Sequence, residues 1–172
     1  LKSAIRDNNP VVFIEHQSLY TLKGVCPEEE YLVPLGEAAI RRDGTDVTIV
    51  GYSMPIIVAQ EAAELAAQEG ISCEVIDLRT LIPMDEAAVL HSLKKTGRLV
   101  CVNQAPKTGC FAEHIVARLQ EIGFEYFKGP AQIVAAYDCP PPMAATLESE
   151  FQPNPRRVLA GIRTAMRSTV RA

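Results

Sequence analysis

Four short stretches hold the side chains best placed to bind or react: Gly51-Tyr52-Ser53-Met54, Asp77-Leu78-Arg79-Thr80, Asn103 to Gly109, and Tyr137-Asp138. Each follows an apolar, β-prone run, so in an open α/β sheet all four gather beyond the carboxyl ends of the strands, where such sheets bind ligands. GYSMP is neither GxGxxG nor GxxxxGK[ST], and it supports neither a dinucleotide nor a nucleoside triphosphate. Asp77 and Arg79 straddle one strand end; they can pair and fix the turn into Thr80, or face a substrate or subunit. NQAPKTG is polar, ends in glycine and directly precedes a helix. Its backbone N–H groups could meet an anion, with Lys107 adding charge, although a plain loop-and-cap role explains the same residues.

The remaining reactive types assemble nothing self-contained. His16, His91 and His114 lack neighbours at metal-ligand spacing. His91 and His114 fall on polar helix faces, and His16 follows Glu15 at a strand end, where a base or any other polar residue can sit. No serine lies in a G-x-S-x-G elbow, and no Cys–His pair is indicated. The five cysteines, Cys26, Cys73, Cys101, Cys110 and Cys139, show no C-x-x-C spacing; Cys73 and Cys101 read as buried core thiols. The expectation is that this chain supplies no catalytic, cofactor-binding or metal-binding residue.

The elements that must position these stretches start with Thr45 to Pro83, one strand–helix–strand unit. Val47–Val50 is an apolar β-branched run after the turn formers Asp43 and Gly44. Pro55 falls in the first helical turn, where a missing N–H costs little, and Ala, Leu, Glu and Gln carry the helix to Glu69. Val58, Ala62, Leu65 and Ala66 form its expected apolar stripe, and Gly70 ends it. Ile71–Leu78 is the next strand. Further along, the pattern predicts a helix from Met84 to Lys95 capped by Asp85 and closed by Gly97, a strand at Arg98–Asn103, a helix from Cys110 to Ile122, and a strand at Gln132–Ala136. Pro140-Pro141-Pro142 prevents continuation, and Asn154-Pro155 starts a last helix to about Met166. Glu37–Arg41 reads as a short edge strand that Asp43-Gly44 turns back onto Val47 as an antiparallel hairpin. The sum is a three-layer αβα sandwich around a mostly parallel sheet.

The first 34 residues read differently. Leu1–Asp7 is helical and Val11–Glu15 an apolar strand, and the two together cannot bury their own faces. They read as residues 1–16, the trailing edge of a preceding domain, in a piece of a longer polypeptide. Residues 17–34 hold no period and contain Gly24, Pro27, Pro34 and the acidic run Glu28-Glu29-Glu30, so they read as an interdomain linker. Residues 35–172 form the main domain. A net charge of -4, with basic residues scattered except for Arg156, Arg157, Arg163, Arg167 and Arg171, offers nucleic acid no groove. No run approaches the ~20 apolar residues of a membrane span. No secretory signal is visible, so the cytoplasm or an organelle matrix (mitochondrial or plastid) is the expected location.

With these elements placed, LKSAIRDNNPVVFIEH, PLGEAAIRRDGTDVTIVGY, GISCEVIDLRTLIPMD, KKTGRLVCVNQAPKTGCFAEHI and FQPNP together resemble the carboxyl-terminal portion of the β subunit of thiamine-diphosphate-dependent 2-oxo acid dehydrogenases (the pyruvate, branched-chain and acetoin group). The resemblance runs through nearly all 172 residues. It implies a transketolase C-terminal-type fold with five strands. It also implies a parent enzyme that decarboxylates a 2-oxo acid with thiamine diphosphate and Mg²⁺ and reductively acylates a lipoyl group. Partners implied by the family are a second copy of the β subunit, the α subunit and the subunit-binding domain of the acyltransferase. The family's cofactor-activating acid and active-site histidine lie upstream, without counterparts here, so no cofactor is expected on this fragment alone. Where many relatives have a His-Glu pair before Ala-Pro, this chain has Asn103-Gln104, which keeps hydrogen bonding but cannot exchange protons near neutrality. A naturally short, noncatalytic binding or structural protein of the same fold is the alternative, and a small independent enzyme using Ser53, Lys107 and Asp138 is a weaker third.

Overall fold

A computed structural model describes residues 1–25 and 27–168; Cys26, and Arg171 of the basic cluster, lie outside the described residues. Five strands form one sheet in the order β1-β3-β2-β4-β5: β1 (Ala39–Arg42), β2 (Val47–Gly51), β3 (Cys73–Asp77), β4 (Leu99–Pro106) and β5 (Gln132–Ala136). β2 pairs parallel with β3, from Val47↔Cys73 to Gly51↔Asp77, and with β4, from Thr48↔Leu99 to Val50↔Cys101; β4 pairs parallel with β5. These four strands are near-continuous apolar runs because both faces of the sheet are covered. Helices α2 (Met54–Gln68) and α6 (Pro155–Arg167) cover the face of Val47, Ile49, Val75, Val100 and Val102. Helices α3 (Glu86–Thr96) and α4 (Phe111–Gly123) cover the face of Val50, Ile76, Leu99 and Cys101. The three-layer sandwich read from the sequence is the fold.

The edge strand sits elsewhere than expected. β1 pairs antiparallel with β3, Ala39 opposite Asp77 and Arg42 opposite Val75, not with β2 in a hairpin. β2 already has parallel neighbours on both sides, so the free edge is that of β3. The Asp43-Gly44 turn carries the chain across it. A Cβ at Gly44 would lie 2.1 Å from the Cys73 carbonyl carbon, and the amides of Thr45 and Asp46 donate to Ser72 O.

Helix α2 is turned relative to its expected stripe. Its buried residues are Pro55, Ile56, Ala59, Ala62, Ala63 and Ala66, while Val58 and Leu65 are only partly buried. Small side chains let the helix approach the sheet closely, and the larger ones are left at the margin. The caps follow local chemistry. Asp85 accepts from Ala88 N–H, Asn154 accepts from Arg157 N–H, and Gly97 adopts φ 74° and donates to Leu93 O at 2.7 Å. α5 (Ala145–Phe151) follows the proline run without a sequence signal of its own, since three prolines hide a seven-residue helix that starts just beyond them.

Among residues 1–35, α1 (Lys2–Arg6) is helical as expected, but Val11–Glu15 is no strand: the segment is extended, with Val12 87% and Ile14 82% exposed. A strand exists only through its ladder, and no described segment pairs with this one. A 3₁₀ turn at Gln17–Thr21 is the sole regular structure among the described residues of the stretch read as a linker.

Candidate functional site

The strand order makes β2 and β4 the switch point. β2 leads through α2 to β3 on one side, and β3 returns through α3 on the opposite face to β4 on the other side. A Cβ at Gly51 would stand 3.0 Å from Val102 O, so the two strand ends lie in close contact. Beyond them Ser53 adopts φ 60° before α2 begins. The Tyr52 hydroxyl donates to Asn103 Oδ1 at 3.2 Å, and Ala105 N–H donates to the same oxygen at 3.2 Å. Asn103 is 2% exposed and its Nδ2 has no hydrogen-bond partner among the described residues. Flipping the amide would set Nδ2 against the Ala105 N–H, so the orientation is fixed by the chain. The Tyr52 ring meets Phe111 edge-on at 6.1 Å. Burial, followed by the adjacent Cys110 thiol, pushes the Tyr52 phenol above its ordinary pKa. The phenol is therefore a neutral hydrogen-bond donor here and no base.

The loop into α4 meets an anion, but one from its own chain. Thr108 N–H and hydroxyl donate to the two Asp138 carboxylate oxygens at 2.9 and 2.8 Å, and Gly109 N–H donates to Glu113 Oε2 at 2.8 Å. The Thr108 backbone bond, then its hydroxyl bond, hold the Asp138 carboxyl below the usual aspartate range. The loop-and-cap alternative is the one these bonds support. Lys107 is exposed and makes no side-chain hydrogen bond or ion pair among the described residues.

Asp77 and Arg79 do not form an ion pair. Asp77 Oδ2 receives Arg41 Nε at 3.1 Å and Nη2 at 2.6 Å, and Asp77 Oδ1 receives only the backbone N–H of Arg79, at 3.2 Å. Arg79 has φ 56°, which turns its guanidinium away to Glu37 O, at 3.1 and 2.8 Å, and Ala38 O, at 3.0 Å. Arg41 escaped the sequence reading because its role depends on β1 crossing to β3. Glu113 carried a usable signal, a carboxylate four residues beyond Gly109 in the first turn of a helix.

The histidines stay apart. His16 Nδ1 accepts from Ser18 N–H at 3.2 Å, the His114 ring lies 5.0 Å from that of Phe111 at a tilt of 41°, and His91 is exposed on α3. Cys73 and Cys101 are buried thiols as expected; burial pushes the Cys73 thiol up to about 11 and Cys101 higher still. No group of three His, Cys, Asp or Glu residues suited to a metal ion occurs among the described residues. A diphosphate with Mg²⁺ does not fit this donor set, because the loop amides that would cradle it are already bonded to Asp138 and Glu113. No step of thiamine chemistry is assigned to these residues.

Comparison with known proteins gives this arrangement its relatives. The family model for the transketolase C-terminal domain matches residues 36–158. The chain is 43% identical over 167 residues to the β subunit of acetoin:2,6-dichlorophenolindophenol oxidoreductase of Cupriavidus necator, covering 97% of this chain and 49% of that protein. It is 44% identical over 153 residues to the mitochondrial pyruvate dehydrogenase E1 component subunit beta of Dictyostelium discoideum, covering 87% of this chain and 43% of that one. It is 41% identical over 168 residues to the mitochondrial 2-oxoisovalerate dehydrogenase subunit beta 2 of Arabidopsis thaliana, covering 96% and 46%. The chain thus spans about half the length of the curated relatives it matches. Among solved structures, a split-gene transketolase described as an inactive β4 tetramer superposes with a TM-score of 0.72 at 23% identity, over 87% of this chain and 47% of that one, a likeness of fold. With its sheet, its switch point and the match from residue 36 to 158, the chain belongs to the transketolase C-terminal domain family.

Proposed function

We propose that these residues are the supporting and assembly lobe of the β subunit of a 2-oxo acid dehydrogenase. The parent enzyme would decarboxylate a 2-oxo acid with thiamine diphosphate and Mg²⁺ and reductively acylate a lipoyl group. The observation that carries the reading is similarity over at least 87% of the chain to β subunits of acetoin, pyruvate and 2-oxoisovalerate enzymes alike. The bonding at the strand ends agrees with it: the polar groups there are turned mostly toward one another, as scaffold requires, and a protein that lends position leaves the carbanion chemistry to the cofactor. In this reading residues 1–16 close a preceding domain, residues 17–34 link the two, and residues 35–172 form the lobe. No described residue before Leu35 is buried and the family match starts at residue 36, which supports that division. The partners would be a second β subunit, the α subunit and the acyltransferase's subunit-binding domain. No helix is long and apolar enough to cross a membrane among the described residues, and relatives include mitochondrial and bacterial proteins. An aqueous compartment, cytoplasmic or within an organelle matrix, suits the lobe.

Calorimetry tests the proposal. Thiamine diphosphate with Mg²⁺ should give no saturable heat when titrated into residues 1–172 and should bind the assembled α and full-length β subunits. Micromolar binding to the 172 residues alone would refute it.

A further inference from the structure

A cleft of about 320 Å³ opens beyond the carboxyl ends of β2 and β3, apart from the Tyr52–Asn103 contact. Its apolar walls are Leu19 and Leu22, from the 3₁₀ turn and the residue after it, facing Ile56 and Ile57 in the first turn of α2. Its polar lining is Arg41, Asp77, Ser53 and Gln60. The size is at the lower end of small-molecule pockets.

The bonding state of those polar groups is uneven. Arg41 commits Nε and Nη2 to one oxygen of Asp77, which leaves Nη1 without a partner among the described residues. Asp77 Oδ1 receives a single bond, from Arg79 N–H, and a carboxylate oxygen can accept two. The Ser53 hydroxyl caps nothing, and no hydrogen bond of the Gln60 amide occurs among the described residues. Donors and acceptors are thus both on offer, side by side, around an aliphatic surface. Arg41 and Asp77 cancel in charge, so a net anion or cation entering here would be desolvated without a compensating net field, whereas a zwitterion finds a partner for each end.

We propose that this cleft binds a free aliphatic α-amino acid, its carboxylate toward Arg41 Nη1 and Ser53, its ammonium toward Asp77, and its side chain among Leu19, Leu22 and Ile57. The proposal is independent of the β-subunit reading; it concerns a ligand that takes no part in the thiamine reaction.

The experiment follows the δ1-methyl NMR signals of Ile56 and Ile57 in the full-length protein during titration with L-leucine. 4-Methylpentanoate, which lacks the ammonium, and isopentylamine, which lacks the carboxylate, are the comparison probes. Leucine should shift both methyls saturably, and each truncated probe should bind at least about tenfold more weakly. Ile57→Trp, which fills the cleft, should abolish the shifts, and Arg41→Gln should weaken leucine by about tenfold. Because the probe series needs no substitution, it decides the matter even if either variant fails to fold. 4-Methylpentanoate or isopentylamine binding as tightly as leucine, or methyl signals that stay unmoved up to the solubility limit of leucine, overturns the proposal.

Discussion

Replacing Arg79 separates two effects that the structure superimposes. Its φ of 56° is in the left-handed region, which costs a side-chain-bearing residue about 1–2 kcal/mol relative to glycine. Its guanidinium offsets that by donating three hydrogen bonds to the carbonyls of Glu37 and Ala38, where the chain enters β1. The residue is exposed, so each bond is taken at the low end of the usual range, about 0.5 kcal/mol, or about 1–2 kcal/mol together. Arg79→Ala keeps the strained backbone and loses the clamp, and should destabilise by about 1–2 kcal/mol. Arg79→Gly loses the same clamp and removes the strain. It should lie about 1 kcal/mol above the alanine variant, even after the extra freedom glycine gives the unfolded chain. Urea unfolding monitored by circular dichroism measures both differences. Hydrogen exchange at Ile40 to Arg42 locates them, because both variants should speed exchange there while leaving β4 unchanged. An alanine variant as stable as the parent, or a glycine variant less stable than the alanine one, would refute the reasoning.

Two further tests address buried and exposed polar groups. Thr48 Oγ1 lies 2.6 Å from Ser92 Oγ and 2.7 Å from Thr96 Oγ1, all fully buried between β2 and α3. Thr48→Val should cost about 1–3 kcal/mol by stranding the Ser92 hydroxyl, while Thr96 Oγ1 keeps its bonds to Arg98 O and N–H; adding Ser92→Ala to it should cost less than Ser92→Ala alone, a coupling that denaturation of the four proteins of the cycle will show. Asp138 has a lowered pKa, so its bonds to Thr108 contribute stability that is complete above the ordinary aspartate range and is lost as pH falls through that range toward the folded value. A carboxyl ¹³C titration of the folded protein should place its midpoint below that of free aspartate, and Asp138→Asn should flatten the stability profile only below about pH 4.

The parts of the fold that were legible in the sequence are those whose cause is local. Asp85, Gly97 and the Asn154-Pro155 pair mark helix ends through bonds made within four residues, and the β-branched runs at Val47, Val75 and Val100 mark strands buried on both faces. Illegible were the features decided across the fold. The side of the sheet that β1 joins depends on β2 having two parallel partners, and the acceptor for Arg41 follows from that. The pattern of Val11 to Glu15 is strand-like, yet a ladder is a property of two segments, and the structure gives it only one. At the candidate site the positions of the stretches at the strand ends are legible, but not the bonds their side chains make. Asp138 reaches Thr108 across 30 residues, a distance at which spacing carries no information.

The alanine face of α2 has a consequence for how this domain can change. Where a helix rests on its support through methyl groups, the gap between the two is set by backbone approach. Enlarging Ala59, Ala62, Ala63 or Ala66 must lever the whole rod outward. Across the same layer α6 meets the sheet through Val158, Leu159 and Ile162, whose branched chains can trade volume with one another and with Val134. Sequence drift in this layer is therefore channelled into one of its two helices, and the other acts as the gauge that keeps the strand ends, and whatever they support, at a constant spacing.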